Sequence, residues 1–228
     1  MRRASSGVTL MEVLIAVTLL SLLTLAMLYS MRVGLMAFTK VDGKLMQNRR
    51  VAGAQRVVEQ EIAGMIPVVA PCGGSKAPFF QGEAQTMRLV TTFSLQEGWR
   101  GHPQILELFV IPGENGDGVR LVVNEIPYSG PLSAGKLCTG SHQFAPVTAG
   151  PNSFVLADKL ASCQFQYLVP DDSPDKPALW KSMYTSHFWP YGVRVQMAPL
   201  QPDPSRLQPI TATVPLFLFR NPEMQYAD

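Results

Sequence analysis

The stretch "SSGVTLMEVLIAVTLLSLL", residues 5–23, decides how the N-terminal part of the chain folds. Arg2 and Arg3 precede it, and the acidic residue Glu12 lies near the start of its apolar run. The 19 residues of the segment 13–31 carry no charge. A helix of that length rises roughly 28 Å, which is close to the thickness of the hydrocarbon core of a bilayer. The sequence therefore predicts a membrane-spanning helix that carries a carboxylate near its start.

Composition limits the class of protein. The chain has 228 residues and a formal net charge of +2, and it shows no basic stripe with interleaved aromatic residues, which argues against a nucleic-acid partner. Charged residues make up only 16% of the chain and the mean hydropathy is +0.10, as expected for one membrane segment attached to a folded domain. The 19 prolines and 18 glycines favour a loop-rich β domain.

Three interpretations of the apolar segment compete. A secretory signal peptide has a shorter apolar core followed by a small-x-small cleavage site, and the run here is longer with no clean site after it. An ordinary single-pass anchor has no need of Glu12, because a carboxylate in hydrocarbon costs roughly 2.5 kcal/mol or more. The third interpretation gives Glu12 a role.

The segment "SSGVTLMEVLIAVTLL" resembles the class III leader of type IV pilins and of type II secretion pseudopilins. In that family a prepilin peptidase cuts after a glycine on the cytoplasmic side and methylates the new N-terminal amine. The resemblance implies that residues 1–7 are the leader, that the cut lies between Gly7 and Val8, and that Val8 is N-methylated. Glu12 then becomes the fifth residue of the mature chain, where the family has glutamate. The family usually has phenylalanine at the first mature position, and Val8 departs from that pattern.

A physical reason for Glu12 follows from this processing. The new amine of Val8 is positive, and in a filament Glu12 can pair with the N-terminal amine of a neighbouring subunit. Such a pair offsets the cost of a buried carboxylate and fixes the axial register, and a buried pair is better evidence for specificity than for stability. We therefore predict an assembly role for Glu12.

The helix is predicted to continue beyond the membrane. Apolar residues recur at steps of three and four, which indicates an amphipathic helix, at positions Leu35, Phe38, Val41, Leu45, Val58, Ile62, Met65 and Ile66. Pro67 would end it. We expect residues 8–31 to form a transmembrane and assembly helix and residues 32–66 to pack on the globular domain.

The remainder, 67–228, is predicted to be a β-rich domain. Strand-like runs lie at 87–93, 105–111, 119–123, 153–157, 163–169, 192–198 and 210–219. They follow one another without helical patterns between them, and "PGENGDG" (112–118) is typical of a hairpin turn. The fold class is therefore α+β: a long N-terminal helix that continues into an antiparallel sheet, as in pilin-like proteins.

The C-terminal part adds a looser resemblance. The strand "CQFQYLV", a loop with Trp180, and "WPYGVRVQM" with Trp189 and Pro190 are similar to the C-terminal region of the J-type minor pseudopilins. This implies a non-enzymatic tip or initiation subunit of a periplasmic pseudopilus that supports protein export. Its implied partners are the prepilin peptidase, the I- and K-type minor pseudopilins, the major pseudopilin and the inner membrane.

The resemblance also implies a single-pass protein of the bacterial inner membrane with a cytoplasmic N-terminus and a periplasmic domain. Two alternatives remain open. One is a minor pilin of a type IV pilus or competence pseudopilus. The other is a membrane-anchored periplasmic enzyme or binding protein.

Catalytic and metal-binding patterns are weak. There is no C-x-x-C pair, so no zinc site is predicted, and the separated residues His102, His142 and His187 predict no catalytic centre. No phosphate-binding loop indicates a nucleotide cofactor, and no cofactor is expected. "GENGDG" offers oxygen ligands but lacks EF-hand spacing, so we interpret it as a solvated turn.

The three cysteines leave the disulfide pairing open. Two of them can pair if the domain lies outside the inner membrane. Cys72 with Cys138 is the pair we expect, because both lie in glycine-rich loops, whereas Cys163 lies in a strand pattern.

Overall fold

The computed structural model describes residues 9–96, 98–140, 143–170, 176–200 and 210–217, without the side chains of 39–50, 99, 100 and 210. The chain divides into two compact units, residues 1–46 and residues 47–228. Helix α1, Leu10–Ala63, has 54 residues and belongs in part to each unit. The second unit contains the antiparallel β-sheet, so the predicted order of a long helix followed by an antiparallel β domain is confirmed.

Helix α1 ends three residues earlier than Pro67 led us to expect. The last helical residue is Ala63, and Gly64 forms a turn. Met65 then pairs with Thr91, and the backbone N–H of Ile66 donates to the carbonyl of Val90 at 2.8 Å. The predicted helical boundary at Ile66 is therefore wrong. The N–H of Met65 closes a turn with the carbonyl of Ile62 at 3.1 Å, and the backbone of Ile66 bonds to a strand instead of continuing the helix.

In the part of the chain that the structure describes, the main sheet has eight strands, and four further strands form two small hairpins. The strands are β1 (Val69–Cys72), β2 (Ser75–Pro78), β3 (Gln81–Gly82), β4 (Thr86–Ser94), β5 (Trp99–Pro112), β6 (Val119–Pro127), β7 (Cys138–Gly140), β8 (Gln143–Phe144), β9 (Phe154–Val169), β10 (Leu179–Lys181), β11 (Gly192–Pro199) and β12 (Ile210–Pro215). A short helix α2 spans Pro131–Gly135. The order in the main sheet is β12-β11-β9-β6-β5-β4-β3, with β10 also on β9, and β1-β2 and β7-β8 form two small hairpins.

Most predicted strands correspond to observed ones, with one merger. The runs at 153–157 and 163–169 form a single 16-residue strand, β9. Lys159 adopts a positive φ of 54° within it, and the pairing of β9 with both β6 and β11 shifts register beside this residue. A bulge of this kind bends a strand without ending it, so one strand serves two neighbours.

The sheet curls back on itself. The N–H of Phe165 in β9 donates to the carbonyl of Ala84 at 2.9 Å, and the N–H of Tyr184 donates to that of Gly82 at 2.7 Å. The first bond brings the β3–β4 turn against β9, and the second joins β3 to the segment that follows β10. A side chain at Gly82 would collide with the Cβ of Tyr184 and the ring of Tyr167, which explains why this position is a glycine.

The two faces of the sheet bury different cores. One face packs against the end of α1, where Val51, Ala54, Val58 and Ile62 are buried with strand residues such as Leu89. The other face carries a smaller core, which includes Val68, Ala70, Cys72, Ala77, Phe79, Val90, Ile105 and Ala134. The second core joins the β1–β2 hairpin and α2 to β4 and β5.

Candidate assembly helix and buried polar sites

The start of α1 has a side-chain cap. Thr9 precedes the first helical residue, and its hydroxyl oxygen accepts a hydrogen bond from the backbone N–H of Glu12 at 3.4 Å. The carbonyl of Thr9 accepts from the same N–H at 3.0 Å. Thr9 and Glu12 have the T-x-x-E spacing of a capping box, and an acidic residue in a first turn complements the helix dipole. The observed cap is therefore supplied by Thr9, and the carboxylate of Glu12 lies in the first turn, where a negative charge is favourable.

The apolar part of α1 is exposed throughout. The segment Leu10–Phe38 has 29 residues and is by length and composition apolar enough to cross a membrane, and none of it is buried. Three of its hydroxyl groups donate to carbonyls of the helix itself: Thr18 to that of Ile15, Ser21 to that of Val17 and Thr24 to that of Leu20. These polar side chains are therefore compatible with hydrocarbon, since their donors are already satisfied.

The processing residues precede the described part of α1. Gly7 and Val8 lie outside the described residues, as does the rest of the leader 1–7. Glu12 is described and its side chain is exposed. The cut after Gly7, the methylation of Val8 and the pairing of Glu12 therefore stay predictions.

The comparison with known families bears on this same segment. Residues 2–28 match the model of the prokaryotic N-terminal methylation motif. The chain therefore carries the prepilin-type signal of type IV pilin-like proteins and pseudopilins, which supports a protein of the pilin-like class that is processed by a prepilin peptidase. The match ends within α1 and does not extend to the β domain. The chain has no significant match among curated proteins.

A buried ion pair joins two neighbouring strands of the sheet. Arg88 of β4 and Glu107 of β5 are directly opposite in the register, and their side chains are 1% and 6% exposed. The Arg88 Nε donates to the Glu107 Oε1 at 2.8 Å, and its Nη2 lies 2.6 Å from the same oxygen. Because desolvating two charges is costly, such a pair is tolerated only when its other hydrogen-bonding groups are also satisfied.

The remaining bonds of this pair satisfy that condition. Arg88 Nη1 donates to the side-chain oxygen of Gln81 at 2.9 Å, and Nη2 donates to the carbonyl of Ala145 at 3.0 Å. The second oxygen of Glu107 accepts from Asn124 Nδ2 at 2.8 Å, which also donates to the carbonyl of Thr148. The network thus fastens the segment 145–148 to the sheet.

Sequence reasoning missed this pair. Arg88 and Glu107 each stand alone in a strongly apolar strand pattern, "MRLVTTF" and "ILELFVI". Opposite charges at single positions of two consecutive antiparallel strands are the signal that could have found them, because an unpaired charge at a buried position is too costly.

The cysteines are arranged as two partners and one free thiol. Cys72 and Cys138 form a disulfide bond, with 5.0 Å between their Cα atoms. The bond ties β1 to β7, and α2 lies against β1 so closely that a side chain at Gly135 would meet Pro71. Cys163 is a free, buried thiol in β9, and its burial raises its pKa to about 12.

Two buried tyrosines lie where the sheet closes on itself. The hydroxyl of Tyr167 donates to the carbonyl of Glu83 at 2.9 Å, and the rings of Phe80, Tyr167 and Tyr184 meet edge to face. Burial raises the pKa of both tyrosines. These groups are neutral at ordinary pH and act as core residues.

The histidines and acidic loops form no metal centre in the part of the chain that the structure describes. His102 and His187 are both exposed, and His142 lies outside the described residues. No group of three His, Cys, Asp or Glu side chains is placed to hold a metal ion among the described residues. In the 112–118 turn, Glu114 bonds to Arg120 at 2.9 Å.

The C-terminal aromatic residues have separate environments. Trp189 and Pro190 are buried, whereas Trp180 is half-buried and its ring lies 4.0 Å from the guanidinium carbon of Arg194. The sequence indicated the two tryptophans and the proline, but not this stacking, because β10 is only three residues long and carries no strand pattern of its own.

Proposed function

We propose that this protein is a minor pseudopilin of a type II secretion system, similar to the J-type subunits, and that it acts at the tip or at the initiation of a periplasmic pseudopilus. The single observation that carries the proposal is the prepilin-type motif at residues 2–28 on a helix whose apolar part is exposed. An exposed apolar helix of this length needs a bilayer or other helices around it.

The proposed steps of membrane insertion, processing and assembly all involve that segment. It inserts with its N-terminus in the cytoplasm and its β domain in the periplasm. The peptidase then cuts after Gly7 and methylates Val8. Glu12 pairs with the amine of a neighbouring subunit as the helix leaves the bilayer and enters a bundle of pseudopilin helices.

The β domain supports a periplasmic location. The pair Cys72 and Cys138 closes a loop with a sequence separation of 66, and disulfides persist in the oxidising periplasm but not in the cytoplasm. The proposed partners are the I- and K-type minor pseudopilins and the major pseudopilin. Elongation would be driven by a separate ATPase.

A minor pilin of a type IV pilus or competence pseudopilus is the second candidate, since it would carry the same signal. Deletion of the gene in its host distinguishes the two. We expect the deletion to stop export of proteins across the outer membrane, with surface pili and DNA uptake intact. Loss of pili or DNA uptake with normal export would instead establish the second candidate. Complementation with the wild-type gene is the control.

A further inference from the structure

The outer surface of strands β9, β11 and β12 is a polar sheet face. In the register, Arg194 of β11 lies between Gln166 of β9 and Thr213 of β12. The next row places Gln196 between Gln164 and Thr211. Alternate residues of these strands, such as Phe165, Val195 and Ala212, are fully buried on the opposite side. Because side chains alternate along a strand, the first set faces away from the core. We call these six residues, Gln164, Gln166, Arg194, Gln196, Thr211 and Thr213, the Arg194 face.

Arg194 is held in one orientation on this face. Its guanidinium carbon lies 4.0 Å from the centre of the Trp180 ring, and its Nη1 is 3.5 Å from the side-chain oxygen of Gln166. Stacking on an aromatic ring fixes the guanidinium plane while its N–H donors remain at the edge of that plane.

Among the described residues, no carboxylate forms an ion pair with Arg194. Within the part of the chain that the structure describes, the ion pairs involve Arg88 and Arg120, and none places a carboxylate within 4.0 Å of Arg194. None of the other five residues of the Arg194 face is charged. The face therefore presents one oriented cation to its surroundings.

Apolar residues adjoin this cation. Leu168 lies opposite both Trp180 and Gly192, and Gly192 lies opposite Pro215 in β12. Phe217, two residues beyond Pro215, is 78% exposed. Arginine and aromatic residues beside neutral polar groups, with few other charges, are the composition typical of the energetically important centre of a protein interface.

We propose that the Arg194 face is a docking surface for a protein segment that presents an Asp or Glu carboxylate next to apolar side chains. The carboxylate takes the N–H donors of Arg194, and the apolar side chains cover Trp180, Pro215 and Phe217. Protein is favoured over a glycan because the guanidinium lies over Trp180, where a sugar ring would otherwise stack. The proposal goes beyond the choice between secretion and pilus machinery and holds for either.

Photocrosslinking in the native host tests this. A photoreactive amino acid replaces Thr211 of the full chain, and the same amino acid at Thr139, an exposed threonine of β7, is the matched control. We expect an adduct from position 211 whose mass spectrum identifies a peptide with an Asp or Glu beside the crosslinked residue. Arg194→Gln is expected to reduce its yield by about tenfold or more.

Two further variants make the result specific to charge. Thr213→Glu places a carboxylate next to Arg194 in the register. It should form an ion pair with Arg194 and so reduce the adduct yield, while Arg194 and Trp180 stay in place. Arg194→Glu should abolish the adduct. Replacing the identified Asp or Glu of the partner by Lys should restore the adduct with the Arg194→Glu variant, because the two charges are then exchanged. The melting temperature of each purified variant confirms folding.

The proposal is overturned by an adduct that is insensitive to both Arg194→Gln and Thr213→Glu. It is equally overturned by an adduct with glycan or lipid, or by a yield at Thr211 no greater than at Thr139. The N-terminal mass of the same sample reports on the proposed function separately, so failure of one is distinguishable from failure of the other.

Discussion

The hydroxyl of Thr9 and the backbone N–H of Glu12 form a hydrogen bond of 3.4 Å that caps the first turn of α1. Glu12 thus occupies the third helical position, where a glutamate or glutamine side chain suits a capping box. Two roles for this residue now compete: a local one, which needs only a side chain that hydrogen-bonds, and an intermolecular one, which needs a negative charge.

Substitutions at Glu12 separate these roles. Glu12→Gln keeps the capping pattern and removes the charge, whereas Glu12→Ala removes both. We predict that both variants reduce assembly to a similar extent, by more than about tenfold, because the positive amine of the neighbour is left without its partner. The measurement is copurification of the subunit with its neighbours from detergent-solubilised membranes.

Thr9 supplies the matched control for that comparison. Thr9→Ser keeps a capping hydroxyl and should assemble as the wild type does, and Thr9→Ala should cost only about 1 kcal/mol of helix stability. A Glu12→Gln variant that assembles normally would show that the negative charge of Glu12 is dispensable for assembly.

The buried pair of Arg88 and Glu107 is predicted to stabilise the sheet only as a pair. Arg88→Met leaves the Glu107 carboxylate buried without a cation, so we expect the free energy of unfolding to fall by about 3–5 kcal/mol. The double variant Arg88→Met with Glu107→Leu removes both charges and should lose less than the sum of the two single variants. Denaturant unfolding of the full chain in detergent, followed by tryptophan fluorescence, measures each. Strict additivity would contradict the coupling.

The bond between Cys72 and Cys138 is predicted to hold the β1–β2 hairpin and α2 against the sheet. Since it closes a loop with a sequence separation of 66, replacing both residues by Ala should lower the free energy of unfolding by about 4 kcal/mol. Alkylation of the denatured protein should find one thiol before reduction and three after it. Three thiols before reduction, in protein taken from the periplasmic side, would disprove the pairing.

Alkaline pH is predicted to destabilise the domain through Cys163. Burial raises the pKa of its thiol from 9.0 to about 12, so the folded state keeps its proton where the unfolded state loses it. This contribution to stability is complete below pH 9 and is lost as the pH rises toward 12, by about 1.4 kcal/mol per pH unit. The buried tyrosines add to the loss above pH 10. Between pH 9 and 10, Cys163→Ala should therefore flatten the dependence of unfolding free energy on pH, and an unchanged slope would contradict the assignment.

The sequence predicted the parts of the fold that repeat a pattern. The uncharged segment 13–31 and the alternating runs of β4, β5, β6 and β11 are long enough to be recognised. The end of α1 was not, because Met65 and Ile66 continue the helical apolar spacing while their backbone pairs with β4. Long-range pairing overrides local preference at such a boundary.

The small elements could not be predicted for a related reason. The strands β1, β2, β7, β8 and β10 have two to four residues each, which is too short for a periodicity to show. They are stabilised by contacts between residues far apart in the chain, such as the bond of Cys72 to Cys138 and the packing of α2 on β1. The stacking of Arg194 on Trp180 is of the same kind, since only the sheet topology brings the two together.

The mass of the N-terminal peptide of the protein, recovered from the membrane fraction of its native host, tests the central claim most directly. The account predicts a peptide that begins at Val8 and carries one additional methyl group on its amine. A Gly7→Val variant, which removes the glycine that the peptidase requires, should keep residues 1–7. An intact N-terminus at Met1 in the wild type, or a cut beyond Met31, would contradict the account and favour an ordinary membrane-anchored or secreted protein.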